Sequence, residues 1–300
     1  MTGLLTGLHH VTALAKSPTG NHRFYTEALG LRLVKKTVNF DDPLTYHLYY
    51  GDERGSPGTL LTHFPHPHAK RGVHGSPEIT ETHLAVASGS LGSWAERLGS
   101  NGTPSELREI GGGRGLAFED PDGMRFALIE DGESEGHAIS RVAGVAIDVP
   151  DVAHTSGFLR KVLGFRDGAA GRLLVGPEGS AAYVELRESA IDRRTSMGAG
   201  TVHHVAWRVP DEDAQLEIAR RLTDAGVGVT PVQDRNYFRS IYSRIPGGVI
   251  FEVATDGPGF DVDEPLESLG GALKLPSQFE ARRAEIERHL VPLDSGSGVR

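Results

Sequence analysis

A chain of 300 residues, 38% hydrophobic and 24% charged, is long enough to bury one large or two ordinary cores. Its formal net charge of -9, spread without a basic stripe, argues against nucleic acid or an anionic membrane as a partner. The absence of cysteine excludes a disulfide framework, a thiolate metal site and a cysteine nucleophile, so any metal must be held by His, Asp or Glu. Met1-Thr2-Gly3-Leu4-Leu5 lacks the basic and apolar regions of a signal sequence and no long apolar run follows, so a cytoplasmic protein is expected.

In chain order the sequence repeats itself. The first module opens with a strand over residues 8–14, in which Gly7-Leu8-His9-His10-Val11-Thr12 places two histidines near its start. A helix over 21–29 stops at Gly30, Leu31-Arg32-Leu33-Val34 extends the chain, and strands follow over 46–50 and 59–64. The stretch from His63-Phe64-Pro65-His66-Pro67-His68 to His74 clusters imidazoles, but its prolines and lack of carboxylates read as an exposed loop. The second module has a strand over 82–87, a helix over 91–98, a stop near Gly102, and strands over 115–118 and 125–130. Its His83 has no acidic partner on a paired strand, and Glu130 falls at an exposed strand end.

The third module repeats this as a strand over 142–149, a helix over 152–163 stopped by Gly164, the pair Phe165-Arg166, and strands over 172–175 and 181–187. It opens without histidine, and its Glu185 reads as structural. The fourth has a strand over 202–209 carrying His203-His204, a helix over 213–225 stopped by Gly226, and strands over 240–244 and 249–254. That last strand carries Glu252 where an apolar residue is expected. Asp120-Pro121-Asp122-Gly123 and Pro246-Gly247-Gly248 form equivalent turns, with Gly supplying positive φ. The chain is therefore α+β: four βαβββ modules in tandem. They divide into an N-terminal domain over 1–136 that supplies His10, a C-terminal domain over 137–258 that supplies His204 and Glu252, and a tail over 259–300. In the tail an amphipathic helix over 276–290, capped by Ser277, needs a surface for Leu273, Leu275, Phe279, Ile286 and Leu290; residues 294–300 are expected to be disordered.

Strand parity decides which side chains meet. Val205, Trp207 and Val209 oppose His204 and Ala206; Phe251 and Val253 oppose Ile250 and Glu252; Val11 and Ala13 oppose His10 and Thr12. His10, His204 and Glu252 thus all face away from their helices, as ligands between sheets curling toward each other would. Two histidines and one carboxylate on separate strands are the donor set of an open non-haem iron(II) site, and a buried carboxylate needs a cation or a proton in any case. Thr12 shares the face of His10, and Tyr242 lies beside Glu252. His9 and His203 should point the other way unless the strands begin irregularly.

The repeated module, Leu8-His9-His10-Val11-Thr12, Val202-His203-His204 and Gly247-Gly248-Val249-Ile250-Phe251-Glu252 resemble the vicinal oxygen chelate superfamily, in which two such domains have curled mixed sheets. Val34-Lys35-Lys36-Thr37, Tyr46-His47-Leu48-Tyr49-Tyr50, Gly58-Thr59, Phe64-Pro65 and Ser268-Leu269-Gly270 extend the likeness over essentially the whole chain, toward ring-cleaving dioxygenases of the hydroquinone type. The resemblance implies that modules one and four form a metal cup with His10, His204 and Glu252 on Fe(II). Mn(II) also fits, and Zn or Ni substitutes in crystals. It further implies supporting roles for His9, Thr12, His203, Arg235 and Tyr242, a tail packed near the site, and an aromatic diol and O2 as partners. His203 or His9 would then act as acid or base, Tyr242 or Arg235 would hold an oxyanion, and Phe238 and Tyr237 would line the pocket. A homodimer or higher oligomer is compatible with it. The alternatives are a glyoxalase-like isomerase or transferase working without O2, which usually needs a second glutamate ligand, and a non-catalytic binder, which would lack the triad.

Overall fold

The computed structural model describes residues 3–293 with the exception of 137 and 190, so the stretch 294–300 expected to be disordered lies outside the described residues. All four modules fold as β-α-β-β-β. The first comprises β1 (Gly7–Ala15), α1 (Pro18–Arg23), β2 (Arg32–Val38), β3 (Tyr46–Gly51) and β4 (Leu60–Pro65). The second comprises β5 (Glu78–Ala87), α2 (Leu91–Ser100), β6 (Ser105–Ile110), β7 (Gly113–Glu119) and β8 (Arg125–Asp131). The third has β9 (Arg141–Val149), α3 (Val152–Leu163), β10 (Arg166–Asp167), β11 (Leu173–Val175) and β12 (Ala182–Glu188). The fourth has β13 (Val202–Val209), α4 (Glu212–Asp224), β14 (Gln233–Asp234), β15 (Arg239–Arg244) and β16 (Ile250–Thr255). No helix among the described residues is long and apolar enough to cross a membrane.

Local chemistry explains the boundaries. Asp151 and Asp211 cap α3 and α4 by accepting from the His154 and Ala214 N–H groups, and Gly164 ends α3 in the left-handed region at φ 76°, where a β-carbon would be strained. Two differences from the sequence reading stand out. The first helix begins earlier, because Ser17 accepts from the Gly20 N–H with Pro18 at the first position, and its second half, Phe24–Ala28, winds as a π turn. Strand β6 carries no apolar alternation, being Ser105-Glu106-Leu107-Arg108-Glu109-Ile110 with its centre exposed. As an edge strand paired only with β7, it leaves no hydrophobic signature.

The strands form two eight-stranded mixed sheets, ordered β14-β15-β16-β13-β1-β4-β3-β2 and β10-β11-β12-β9-β5-β8-β7-β6. Modules one and four share the first sheet, and modules two and three share the second. Antiparallel pairs β1–β13 and β5–β9 join the modules. In the first sheet, side chains facing the helices (Val11, Tyr50, Val205, Trp207, Phe251, Val253) belong to the main core. The opposite face belongs to a smaller cluster that includes Tyr49, Ala206, Phe238 and Ala254. That sheet is strongly curled. From β3 to β15 there are five interstrand steps, about 24 Å if flat, yet the rings of Tyr49 on β3 and Phe238 beside β15 lie 6.4 Å apart.

The tail closes one wall of this cup. Phe260 packs on Tyr49 and Tyr237 with ring centroids 5.1 and 5.0 Å apart. Fully buried Lys35 on β2 reaches Asp263 and Glu264, each at 2.5 Å, and Tyr237 donates to Asp263 at 3.0 Å. Beyond it the expected single helix is two pieces, a 3-10 segment Ser277–Arg282 and α5 (Arg283–His289). Ser277 is the first residue of the 3-10 segment, not a cap. Leu275, Ile286 and Leu290 enter the main core, with Leu273 and Phe279 packed against it.

Candidate metal centre

On the inner face of the cup, β1, β13 and β16 bring His10, His204 and Glu252 together. They are buried and their donor atoms lie within 4.8 Å of one another. His204 Nε2 stands 2.8 Å from Glu252 Oε2, His10 Nε2 stands 3.4 Å from the same oxygen, and the two Nε2 atoms are 3.3 Å apart. Donors about 2.1 Å from a shared ion and at right angles would stand about 3.0 Å apart. Ser240, next to Tyr242 on neither flank but two residues before it on β15, donates to the other carboxylate oxygen, Oε1, at 2.5 Å. Burial alone would raise the pKa of Glu252, but the imidazoles of His10 and His204 hold it well below the usual carboxylate range. Burial lowers His204, with the carboxylate opposing.

His9 and His203 correct the parity reading, for a physical reason. In the β1–β13 ladder Leu8 pairs with Trp207 and His10 with Ala206, so His9 is an extra residue; Thr12 pairs with His204 and Ala13 with Val202, so His203 is another. Each is a β-bulge, which re-aims a side chain out of strict alternation. Each extra histidine thereby touches the next one: His9 Nδ1 lies 2.9 Å from His10 Nδ1, and His203 Nδ1 lies 2.7 Å from His204 Nδ1. For Nε2 of His10 and His204 to offer lone pairs, their Nδ1 atoms must carry the protons and donate to His9 and His203. The three facing atoms, Nε2, Nε2 and Oε2, are then all lone-pair donors, an arrangement that a cation relieves. The donor set fits a divalent metal ion.

A cavity of about 320 Å³ opens onto the triad. His203, Arg235, Phe238 and Tyr242 line it, as do Phe40, Phe64, His47 and Tyr49. Arg235 donates from Nε to the Tyr242 hydroxyl at 3.2 Å, and Tyr242 pairs across strands with Glu252. Burial, with His204 adding, pushes His203 down to about 4, so it is neutral. Thr12 lies under the triad, its Oγ1 2.7 Å from Thr62 Oγ1. His9 and Tyr237 are not among the residues lining the cavity. His9 sits behind His10, and the Tyr237 hydroxyl is turned to Asp263. Sequence reasoning missed Ser240, His47 and Tyr49 as site residues; the parity of Tyr46-His47-Leu48-Tyr49-Tyr50, which puts 47 and 49 on the cup face, was the available signal.

The histidine-rich stretch is not a uniform exposed loop. His63 is buried in β4 against Tyr25, with ring centroids 4.2 Å apart. His66 lines the cavity mouth, and His74 Nδ1 lies 2.6 Å from Glu78. His83 does have an acidic partner, on its own strand: Nε2 lies 2.7 Å from Glu81 Oε1, and Nδ1 lies 2.7 Å from the Tyr183 hydroxyl. Bulges again account for it, because β5–β9 slips at Ile79/Glu81 and at His83/Leu84. By register Glu81 therefore takes the place of His10, Gly144 that of His204, and Glu185 that of Glu252.

Comparison with known proteins agrees with this architecture. The model of the Glyoxalase/Bleomycin resistance protein/Dioxygenase superfamily matches residues 7–128 and 141–259. The chain is 40% identical over 304 residues to "Putative ring-cleaving dioxygenase MhqO" of Bacillus subtilis (strain 168), covering 96% of each chain. It is 35% identical over 307 residues to "Chlorohydroquinone/hydroquinone 1,2-dioxygenase" of Sphingobium indicum, covering 94% of this chain and 95% of that protein. A crystal structure of a "putative dioxygenase" from Bacillus subtilis superposes with a TM-score of 0.90 at 38% identity, covering 98% and 99% of the two chains. Glyoxalase I of Zea mays, at 17% identity and a TM-score of 0.62 over 83% of this chain and 92% of that one, shares the fold.

Proposed function

The chain belongs to the Glyoxalase/Bleomycin resistance protein/Dioxygenase superfamily, and from that premise we propose that it is a ring-cleaving dioxygenase. We assign His10, His204 and Glu252 as ligands of Fe(II), with Mn(II) as the other candidate, and a hydroquinone or catechol as substrate. The observation that carries this reading is a triad of two imidazoles and one carboxylate opening on a cavity walled by aromatic rings and large enough for one substituted ring. Among the described residues the metal-competent group has three donors, not the four of a glyoxalase-like site. The hydroquinone class is supported by the named activity of the Sphingobium relative.

When bound, an ion on such a triad acidifies a phenol and supplies the redox chemistry that O2 cleavage requires. What the chain adds is placement and proton handling. Ser240 fixes the carboxylate through Oε1, leaving Oε2 for the ion, while His9 and His203 set the tautomer and tilt of the ligand imidazoles. Tyr242 and Arg235, joined at 3.2 Å, stand beside Glu252 and would hold an oxyanion developing at the substrate. With Nδ1 of His203 accepting from His204, its proton rests on Nε2, in the cavity wall beside the triad. With His203 neutral, its Nε2–H is the group placed to donate a hydrogen bond to a substrate oxygen as the ring opens. Phe40, Phe64 and Phe238 exclude bulk water.

Oxygen uptake tests the reading: protein reconstituted anaerobically with Fe(II) is mixed with aerated methylhydroquinone, chlorohydroquinone or catechol, beside a His204→Ala control. Uptake matched to ring-opened product, absent in the control, is expected. Tight metal binding with no uptake on any of the three would move the assignment to the glyoxalase-like alternative.

A further inference from the structure

The cavity is bounded by a closed circuit of rings. Successive centroid separations run 5.3 Å from His10 to Phe238, 6.4 Å on to Tyr49, 4.0 Å to His47, 4.3 Å to Phe64, 6.2 Å to His203, 5.0 Å to His204 and 5.4 Å back to His10. His47 and Tyr49 occupy the arc farthest from the ligands. The sheet explains the gap they face. His204, Thr12, Thr62 and Tyr49 are neighbours in one row across β13, β1, β4 and β3, spanning about 14 Å of backbone. Its two inner members are threonines, fully buried and bonded to each other at 2.7 Å. His204 and Tyr49, at the ends of the row, both line the cavity, while the threonines between them do not reach it.

His47 has both nitrogens engaged, Nδ1 with the Tyr49 hydroxyl at 2.9 Å and Nε2 with Thr62 Oγ1 at 2.9 Å. The Tyr49 hydroxyl has that one partner, so a donor or an acceptor site remains. Its ring is wedged by Phe260 and Tyr237 at 5.1 and 6.3 Å. The mouth residues are committed elsewhere: Asn39 accepts from the Asp41 N–H, Asp41 pairs with Arg235, and His66 with Thr45. The chain Tyr49–His47–Thr62–Thr12 is consistent in either proton direction. Run one way Tyr49 presents an acceptor to the cavity, run the other a donor.

Resting on the dioxygenase reading above, we propose that Tyr49, oriented by His47, binds the second oxygen of a para-diol whose first oxygen is held at the triad, and so selects hydroquinones over catechols. A hydroquinone carries its oxygens at opposite ends of the ring and spans the row from His204 to Tyr49. A catechol carries both at one end and cannot reach the far arc. The two-way chain lets the same hydroxyl meet the distal group as a hydroxyl or as a carbonyl.

The test is anaerobic binding to Fe(II)-reconstituted protein, followed by calorimetry, of hydroquinone, 4-methylphenol (which replaces the distal hydroxyl by a methyl group of similar size) and catechol. Wild-type protein should bind hydroquinone about 10-fold more tightly than 4-methylphenol, the worth of one buried neutral hydrogen bond. Tyr49→Phe should erase that ratio by weakening hydroquinone alone, and His47→Gln should reduce it while leaving catechol unchanged. An unchanged ratio in Tyr49→Phe, or equal weakening of all three compounds, overturns the assignment. If wild-type protein binds none of the three, the dioxygenase reading itself falls; if it cleaves hydroquinone while the ratio in Tyr49→Phe is unaltered, only the role of Tyr49 does.

Discussion

Replacing Glu252 by Gln keeps the volume of the side chain and removes the anionic member of the triad, with Oε2 standing 2.8 Å from His204 and 3.4 Å from His10. Loss of groups that merely orient a ligand weakens metal binding by about 10- to 100-fold, so loss of the anionic ligand itself should cost at least about 100-fold. Metal at a hundredfold excess over its Kd stabilises a folded protein by about 2.7 kcal/mol, and at a concentration equal to Kd by about 0.4 kcal/mol. For a chain of 300 residues the unfolding entropy is about 0.6 kcal/mol/K. The same metal addition should therefore raise the Tm of the wild type by about 4 °C and that of Glu252→Gln by under about 1 °C. The assay is thermal unfolding of chelator-stripped protein with and without Mn(II), chosen because it is stable in air, with bound metal measured after desalting. Glu185→Gln, at the corresponding position of the other sheet, is the control and should keep the full shift. A full shift in Glu252→Gln, or its loss in Glu185→Gln, would refute the assignment of ligands.

Two further outcomes follow from the same contacts. His203→Phe removes the acceptor 2.7 Å from His204 Nδ1 and should weaken metal binding by about 10- to 100-fold in a chelator competition, whereas unchanged affinity would assign the bulge no role in the site. Asp120, buried beneath Tyr25 and held by the N–H groups of Asp122 and Met124, is pushed up to about 6, chiefly by burial. Its folded pKa lies above the unfolded value, so its contribution to stability is fully present below about pH 4 and is lost as pH rises through 6. Asp120→Asn should thus gain stability relative to wild type by roughly 2–3 kcal/mol between pH 4 and pH 8, read from urea midpoints; a pH-independent difference would show that the carboxyl is not protonated in the folded chain.

The face of each strand was legible because the helices demand apolar partners: Val205 and Trp207, Phe251 and Val253 leave His204 and Glu252 the other side. The stops at Gly102, Gly164 and Gly226 were equally legible, since they need only a backbone that tolerates positive φ. The bulges at His9 and His203 were not. A bulge is a property of two strands in register, and the slip between Leu8 and His10 exists only against Trp207 and Ala206. Single-strand parity therefore sends both histidines the wrong way. Ser240 escaped for a related reason, because a serine in a strand acquires meaning only when its cross-strand neighbour Ala254 and the diagonal Glu252 are known. For the same reason single-strand reading could not show that Glu81 takes the place of His10 in the second sheet.

The second sheet bears on what the first sheet lacks. It keeps acids at the places of His10 and Glu252, namely Glu81 and Glu185, and compensates them with guanidinium groups: Arg187 lies 2.7 Å from Glu185, and Arg108 bonds Glu81. It also fills the space of His204, since a β-carbon at Gly144 would fall 2.6 Å from the Tyr183 ring, which Arg172 covers at 4.0 Å. Both acids of this cup, buried Glu81 and half-buried Glu185, are thus supplied with a cation by the chain itself, as the cost of burying an unpaired charge requires. In the first cup no lysine or arginine reaches the carboxylate of Glu252 among the described residues. Its neighbours at Oε2 are two imidazoles, at 2.8 and 3.4 Å, each backed at Nδ1 by a further histidine. The same backbone that balances its acids with arginine in one cup leaves one acid unbalanced in the other, at the place where three donors converge, and an ion bound there restores the balance.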